Sequence, residues 1–113
     1  MSELTLNQRV IDALATVTDI PVYFNTYTGN ALSYFVFTNN AVPEYFTDNE
    51  VMYVVNNVDL HFYCPETLNT TALRKQLKKA LQTAGFTYPI ETDVSDEHMQ
   101  HFLYEFEIEE YVE

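Results

Sequence analysis

Tryptophan is absent from this 113-residue chain, cysteine occurs once, glycine twice and proline four times. A lone Cys64 forms no internal disulfide, so a disulfide scaffold is excluded and a reducing compartment is the simple expectation. Two glycines leave little scope for a phosphate cradle, and no Walker-type loop, dinucleotide fingerprint or G-x-S-x-G sequence occurs. Basic residues are scarce: five stand against 17 acidic ones, for a formal charge of −12. That balance disfavours capture of DNA or RNA through phosphate neutralisation. The longest apolar runs, residues 34–37 and 51–55, fall far short of the ~18 residues a membrane helix needs. No stretch has the basic start, apolar middle and small-residue cleavage site of a signal peptide. A soluble, cytoplasmically made protein is expected.

What the chain does have is core-forming material. Hydrophobic residues make up 47% and aromatics 15%, with nine Tyr and eight Phe, which excludes disorder from lack of a core. The length suits a single domain over residues 1–113, burying roughly two-thirds of the unfolded surface. Charge is unevenly spread. Four of the five basic residues lie between Arg74 and Lys79, and nine of the 17 carboxylates lie between Glu91 and Glu113.

Periodicity assigns the elements. Residues 7–17 place Val10, Ile11, Leu14 and Val17 on one helical face, with Thr5 and Gln8 spaced as a capping box and Asp19-Ile20-Pro21 as the stop. Val22-Tyr23-Phe24 reads as a short strand and residues 25–30 as a turn around Gly29. Residues 32–38 read as a strand apolar on both faces, to be covered by a helix and another sheet or by a second subunit. Residues 39–50, with Pro43 and no period, read as a loop. In that loop Tyr45 and Phe46 either tuck under their own chain or anchor a partner.

Residues 52–63 form a long strand with Val54, Val58, Leu60 and Phe62 on one face and Val55, Asn57, Asp59, His61 and Tyr63 on the other. Asn56 falls on the apolar side, which predicts a bulge near it. Residues 71–84 form a helix capped by Thr70 or Asn69 and closed by Gly85. Leu73, Leu77, Ala80, Leu81 and Ala84 share its core face, and Arg74, Lys75, Lys78 and Lys79 project away. Residues 101–109 alternate strictly, with Phe102, Tyr104, Phe106 and Ile108 inward and Glu105, Glu107 and Glu109 outward. The order α-β-β-β-α-β predicts an α+β domain with a largely antiparallel sheet of about four strands and two helices packed on it.

Catalytic and metal chemistry find no convergent set. His61-x-x-Cys64 and His98-x-x-His101 have ligand-like spacing, but residues three apart on a strand point to opposite faces. The same geometry separates Cys64 from His61 and Asp59, and the C-terminal carboxylates form one strand row rather than a glycosidase pair. No enzyme, cofactor or metal is therefore expected. The basic helix face (Arg74, Lys75, Lys78, Lys79) and the acidic row (Glu105, Glu107, Glu109) are instead candidate halves of a head-to-tail subunit contact. The plain alternative is that the lysines only keep the helix soluble. Tyr45, Phe46 and Asp48 mark a candidate partner-contact loop.

From end to end the chain resembles the tail-completion, or tail-terminator, proteins of long-tailed bacteriophages of Gram-positive hosts. The resemblance rests on a helix running into Ile20-Pro21-Val22-Tyr23, the aromatic strand Tyr34-Phe35-Val36-Phe37-Thr38 and a loop ending in Thr47-Asp48-Asn49. It continues through the long strand over residues 53–63, the Lys-rich helix ending Ala84-Gly85-Phe86 and a final Glu97-x-x-x-x-Phe102-x-Tyr104-x-Phe106. The last strand is richer in glutamate than that pattern requires. The resemblance implies a structural virion protein, usually a hexameric ring, that caps the head-proximal end of the tail tube and stops its polymerisation. Its partners would be copies of itself, the tail tube protein and the head-side connector, with DNA passing through without specific binding and no membrane involved. Assembly in the bacterial cytoplasm and residence in the virion neck follow. A head–tail connector or stopper, or a small prophage regulator binding another protein through Tyr45 and Phe46, are the alternatives.

Overall fold

Period-two alternation along three long strands builds the molecule. A computed structural model describes residues 5–45 and 51–111. Its elements are α1 (Leu6–Ala15), β1 (Val22–Phe24), β2 (Tyr34–Tyr45), β3 (Val51–Pro65), α2 (Thr71–Thr83), β4 (Ile90–Asp93) and β5 (Met99–Tyr111). The strands form one sheet in the order β1-β2-β3-β5-β4, with β1 parallel to β2 and every other pair antiparallel. The α+β class is as expected, with five strands instead of about four. The additional strand is β4, whose polar Ile90-Glu91-Thr92-Asp93 carries no alternation of its own and is ordered by pairing with residues 102–105 of β5.

Both helices lie on one face of the sheet. Val10 and Leu14 of α1 and Leu77 and Leu81 of α2 are fully buried against Phe35 and Phe37 of β2, Val58, Leu60 and Phe62 of β3, and Phe102, Tyr104 and Phe106 of β5. Tyr34 and Val36, on the other face of β2, are half-buried without a second sheet above them among the described residues. Thr5 caps α1 by accepting from Gln8 N at 3.2 Å, while the Gln8 side chain turns to Asp12 instead of closing the box. At α2 the Thr70 side chain makes no cap bond, and Asn69 Oδ1 accepts from Thr71 N. Gly85 ends the helix at φ +105°, which lets Phe86 N reach Leu81 O at 3.2 Å and buries the Phe86 ring.

Helices and strands differ in reach. The 15 residues of β3 span about 50 Å at ~3.3 Å per residue, whereas the 10 and 13 residues of α1 and α2 span about 15 and 20 Å. The molecule is accordingly drawn out to 54 × 31 × 26 Å. The far ends of β2, β3 and β5 continue past the helices as a three-stranded arm.

That arm corrects the expected loop over residues 39–50. Residues 39–45 pair with β3 from Asn39↔Val58 to Tyr45↔Val51. Pro43 is tolerated because β1 covers only residues 35–37, leaving the outer edge of β2 without a ladder that would need its N–H. Asn56 corrects the expected bulge: its register runs straight through Ala41 and Ile108, and the irregularity falls at Glu44/Tyr45. The Asn56 amide is buried with no hydrogen-bond partner for Nδ2 among the described residues. A buried unpaired donor costs about 1–3 kcal/mol. Asn56→Val should therefore raise the unfolding free energy by about 1 kcal/mol in urea titration.

One polar cluster crosses the layers. Glu91 of β4 takes the Arg74 Nη1 at 3.0 Å on one carboxylate oxygen, and on the other the Tyr104 hydroxyl at 2.8 Å with Lys78 Nζ 3.7 Å away. Tyr104 is fully buried, and the Arg74 guanidinium lies 4.4 Å from the Phe102 ring centroid. Burial foremost, and then the bond to the Glu91 carboxylate, hold the Tyr104 hydroxyl well above its ordinary pKa. Glu91→Ala would strip the acceptor from a buried phenol and the counter-charge from Arg74. The expected loss is about 2–3 kcal/mol by chemical denaturation, beyond the ~0.5 kcal/mol typical of surface changes.

Candidate functional site

The four basic residues expected to share one outward face of α2 divide into two pairs. Arg74 and Lys78 are drawn down to Glu91, with side chains only 26% and 20% exposed, and Arg74 Nε also donates to Thr70 Oγ1 at 3.1 Å. The expectation that they project away is corrected: their length lets them reach β4 along the flank of the helix. Lys75 and Lys79 are exposed and make no ion pair among the described residues.

Lys75 and Lys79 flank a groove of about 850 Å³ between α1 and α2. Small apolar side chains line it, Ala13 of α1 and Val17 just beyond it, Ala80 of α2 and Ala84 at its C-cap. Arg9 stands at its end, donating to Ala84 O at 3.0 Å with its guanidinium 5.5 Å from the Phe86 ring centroid. Sequence reasoning did not single out Arg9, because its role depends on where α1 meets the end of α2.

The acidic row is placed as expected. Glu105, Glu107 and Glu109 are exposed on the helix-free face of β5. Their cross-strand neighbours on β3 are Asp59, Asn57 and Val55 respectively. Asp59 and Glu105 put like charges directly opposite each other, a pairing that destabilises a sheet by roughly 0.2–1 kcal/mol. Of the candidate partner loop, Tyr45 is placed by its backbone at the end of β2, and Phe46 and Asp48 lie outside the described residues.

The other end of the same face carries a row of rings absent from the sequence expectations. Tyr27 stacks on Tyr34 at 3.8 Å, Tyr34 on Tyr63 at 4.9 Å and Tyr63 on His101 at 4.1 Å between centroids. Gly29 sits beneath the start of this row, where a Cβ would come within 2.9 Å of the Tyr27 ring. His61 Nδ1 lies 2.7 Å from His101 Nε2, so within this contact the N–H of one ring donates to the bare nitrogen of the other. The register that puts Tyr63 opposite His101 brings the two histidines together diagonally, and only the strand pairing reveals it. Burial foremost, and then the neighbouring His61, depress the His101 pKa, with Asp96 acting in the opposite direction.

His61 faces away from the helices, whereas Cys64 is fully buried on the helix side with its thiol pKa raised by burial. His98 lies in the turn ahead of β5, not on a strand, and contacts Glu97 at 3.3 Å. The expected strand argument for His98-x-x-His101 is thus replaced by a simpler one, since His101 is engaged by His61. Among the described residues no three His, Cys, Asp or Glu side chains converge as a metal site would, and no helix is long and apolar enough to cross a membrane. No protein-family model matches the chain, and no curated protein matches it.

The depressed pKa of His101 makes stability depend on pH. A histidine whose folded pKa is depressed below the unfolded value of 6.5 contributes stability that is full above that value and lost as pH falls through the folded pKa. Unfolding free energy measured by urea should decline from pH 7 toward pH 5, where the unfolded chain binds the extra proton. His101→Gln should flatten that slope. An unchanged slope would show that the pair does not govern it.

Proposed function

We propose that this chain is a subunit of the ring that closes the head-proximal end of a phage tail tube, terminating polymerisation and joining tail to head. One observation carries the reading beyond the family resemblance. Lys75 and Lys79, without an ion pair among the described residues, lie on the helix layer, whereas Glu107 and Glu109 lie on the opposite, helix-free face of the same sheet. Patches of opposite sign on opposite sides cannot meet within one molecule or across a self-complementary dimer contact. They meet head to tail, and a head-to-tail contact closes into a ring when its rotation allows.

An acidic ring also suits the conduit role. DNA passing a wall of carboxylates is not held by its phosphates, and a subunit of net charge −12 has carboxylates to spare after its intramolecular pairs. The partners are then further copies of the chain, the tail tube protein on one side and the head-side connector on the other. The place of action is the virion neck, reached after assembly in the host cytoplasm.

Native mass spectrometry and negative-stain imaging of the chain, alone and with assembled tail tube, test this. Hexamer-sized rings that cap tube ends and loosen at about 1 M salt, where screening extends to ~3 Å, are expected. Rings that bind a head-side connector but never the tube would move the role to a connector or stopper. A strict monomer at high concentration and in the presence of tubes would overturn the ring altogether and favour a small regulator.

A further inference from the structure

The arm and the groove are complementary. On the helix-free face of the arm Val42 pairs across to Val55 and Val55 to Glu109. Glu44 lies two residues from Val42 on the same side of β2, and Glu107 flanks Glu109 on β5, giving an apolar centre edged by carboxylates. The α1–α2 groove has the inverse pattern, with small apolar side chains inside and cations at its margin. The chain has five basic residues: two are taken by Glu91, and the other three, Arg9, Lys75 and Lys79, all line this one groove, where Asp12 is the only carboxylate among the described residues.

Resting on the ring reading above, we infer that the groove between α1 and α2 is the docking site for the three-stranded arm of a second copy of this chain. The arm's helix-free face points away from its own helices, so no subunit fills its own groove. A copy related by rotation does. Val42 and Val55 of one subunit then meet the alanine and valine lining of the next, and Glu44, Glu107 and Glu109 meet Lys75, Lys79 and Arg9. Asp59 and Glu105, nearer the middle of the sheet, stay outside the contact and face the bore.

Complementary charge reversal tests the contact. K75E/K79E makes groove and arm both acidic, and E107K/E109K makes both basic, so each variant alone should associate on the order of 100-fold more weakly than the parent in native mass spectra. Mixed in equal amounts, the two should recover rings of parental size, because every acidic groove then faces a basic arm and every basic groove an acidic one. All four side chains are exposed, and unchanged thermal unfolding of the separate variants checks that they fold. Rings formed equally well by each variant alone would overturn the docking site while leaving the ring reading intact. So would K75E/K79E rings of normal size that no longer cap tubes, which would give the groove to the tube protein. A parent chain that forms no ring even on tubes would remove both readings together.

Discussion

Side-chain alternation along β3 is the constraint on which the rest of the molecule depends. Strand β3 is paired on both edges, to β2 over residues 34–45 and to β5 over residues 99–111. Its even-numbered residues from Val58 to Cys64 are buried under the helices, and its odd-numbered residues from Asn57 to Tyr63 face away from them. A one-residue slip would send every one of these side chains to the wrong side at once. Because the ladder transmits the choice to both neighbours, Phe35 and Phe37 are committed to the core together with Phe102, Tyr104 and Phe106. The tyrosine row and the carboxylates are committed, by the same step, to the helix-free face.

Polar exceptions on the core side show how strictly the rule is kept. Tyr104 puts a hydroxyl inside the domain, and β4 supplies Glu91 to receive it. Glu91 in turn needs cations, and Arg74 and Lys78 reach down from α2 to provide them. Removing one partner from such a cluster costs more than the cluster contributes, because the others are left desolvated. Asn56 is the exception that is not met among the described residues, since continuous pairing on both sides of β3 leaves it no bulge through which to turn outward.

Much of this was legible in the residues, and the parts that were not share a cause. Both long helices, the faces of β3 and β5, and the glycine stop at Gly85 follow from local periodicity and local backbone chemistry, and the structure has them where the patterns put them. β4 and the outer half of β2 have no local signature. They become strands only because β5 and β3 offer them a ladder. Helical periodicity grouped Arg74 and Lys78 with the outward Lys75 and Lys79, and could not show Glu91 of β4 drawing them down to the sheet. The His61–His101 pair needed the register between two strands 40 residues apart in sequence. The proposed function class rests on the tail-terminator resemblance, which no single local pattern carries.

The mismatch between element lengths links the fold to the proposed assembly. Strands roughly 50 Å long under helices of about 20 Å must leave part of the sheet bare. The bare part carries Pro43 and Glu44 on one edge and Glu109 and Glu110 on the other, residues that block uncontrolled strand pairing, while Thr87 takes up the backbone of Glu107. The opposed Asp59 and Glu105 cost stability in the subunit, and in the proposed ring the apolar centre of the arm is covered by the next copy while those two carboxylates stay in solvent. The groove on the opposite side of the same subunit has the shape and sign to provide that cover.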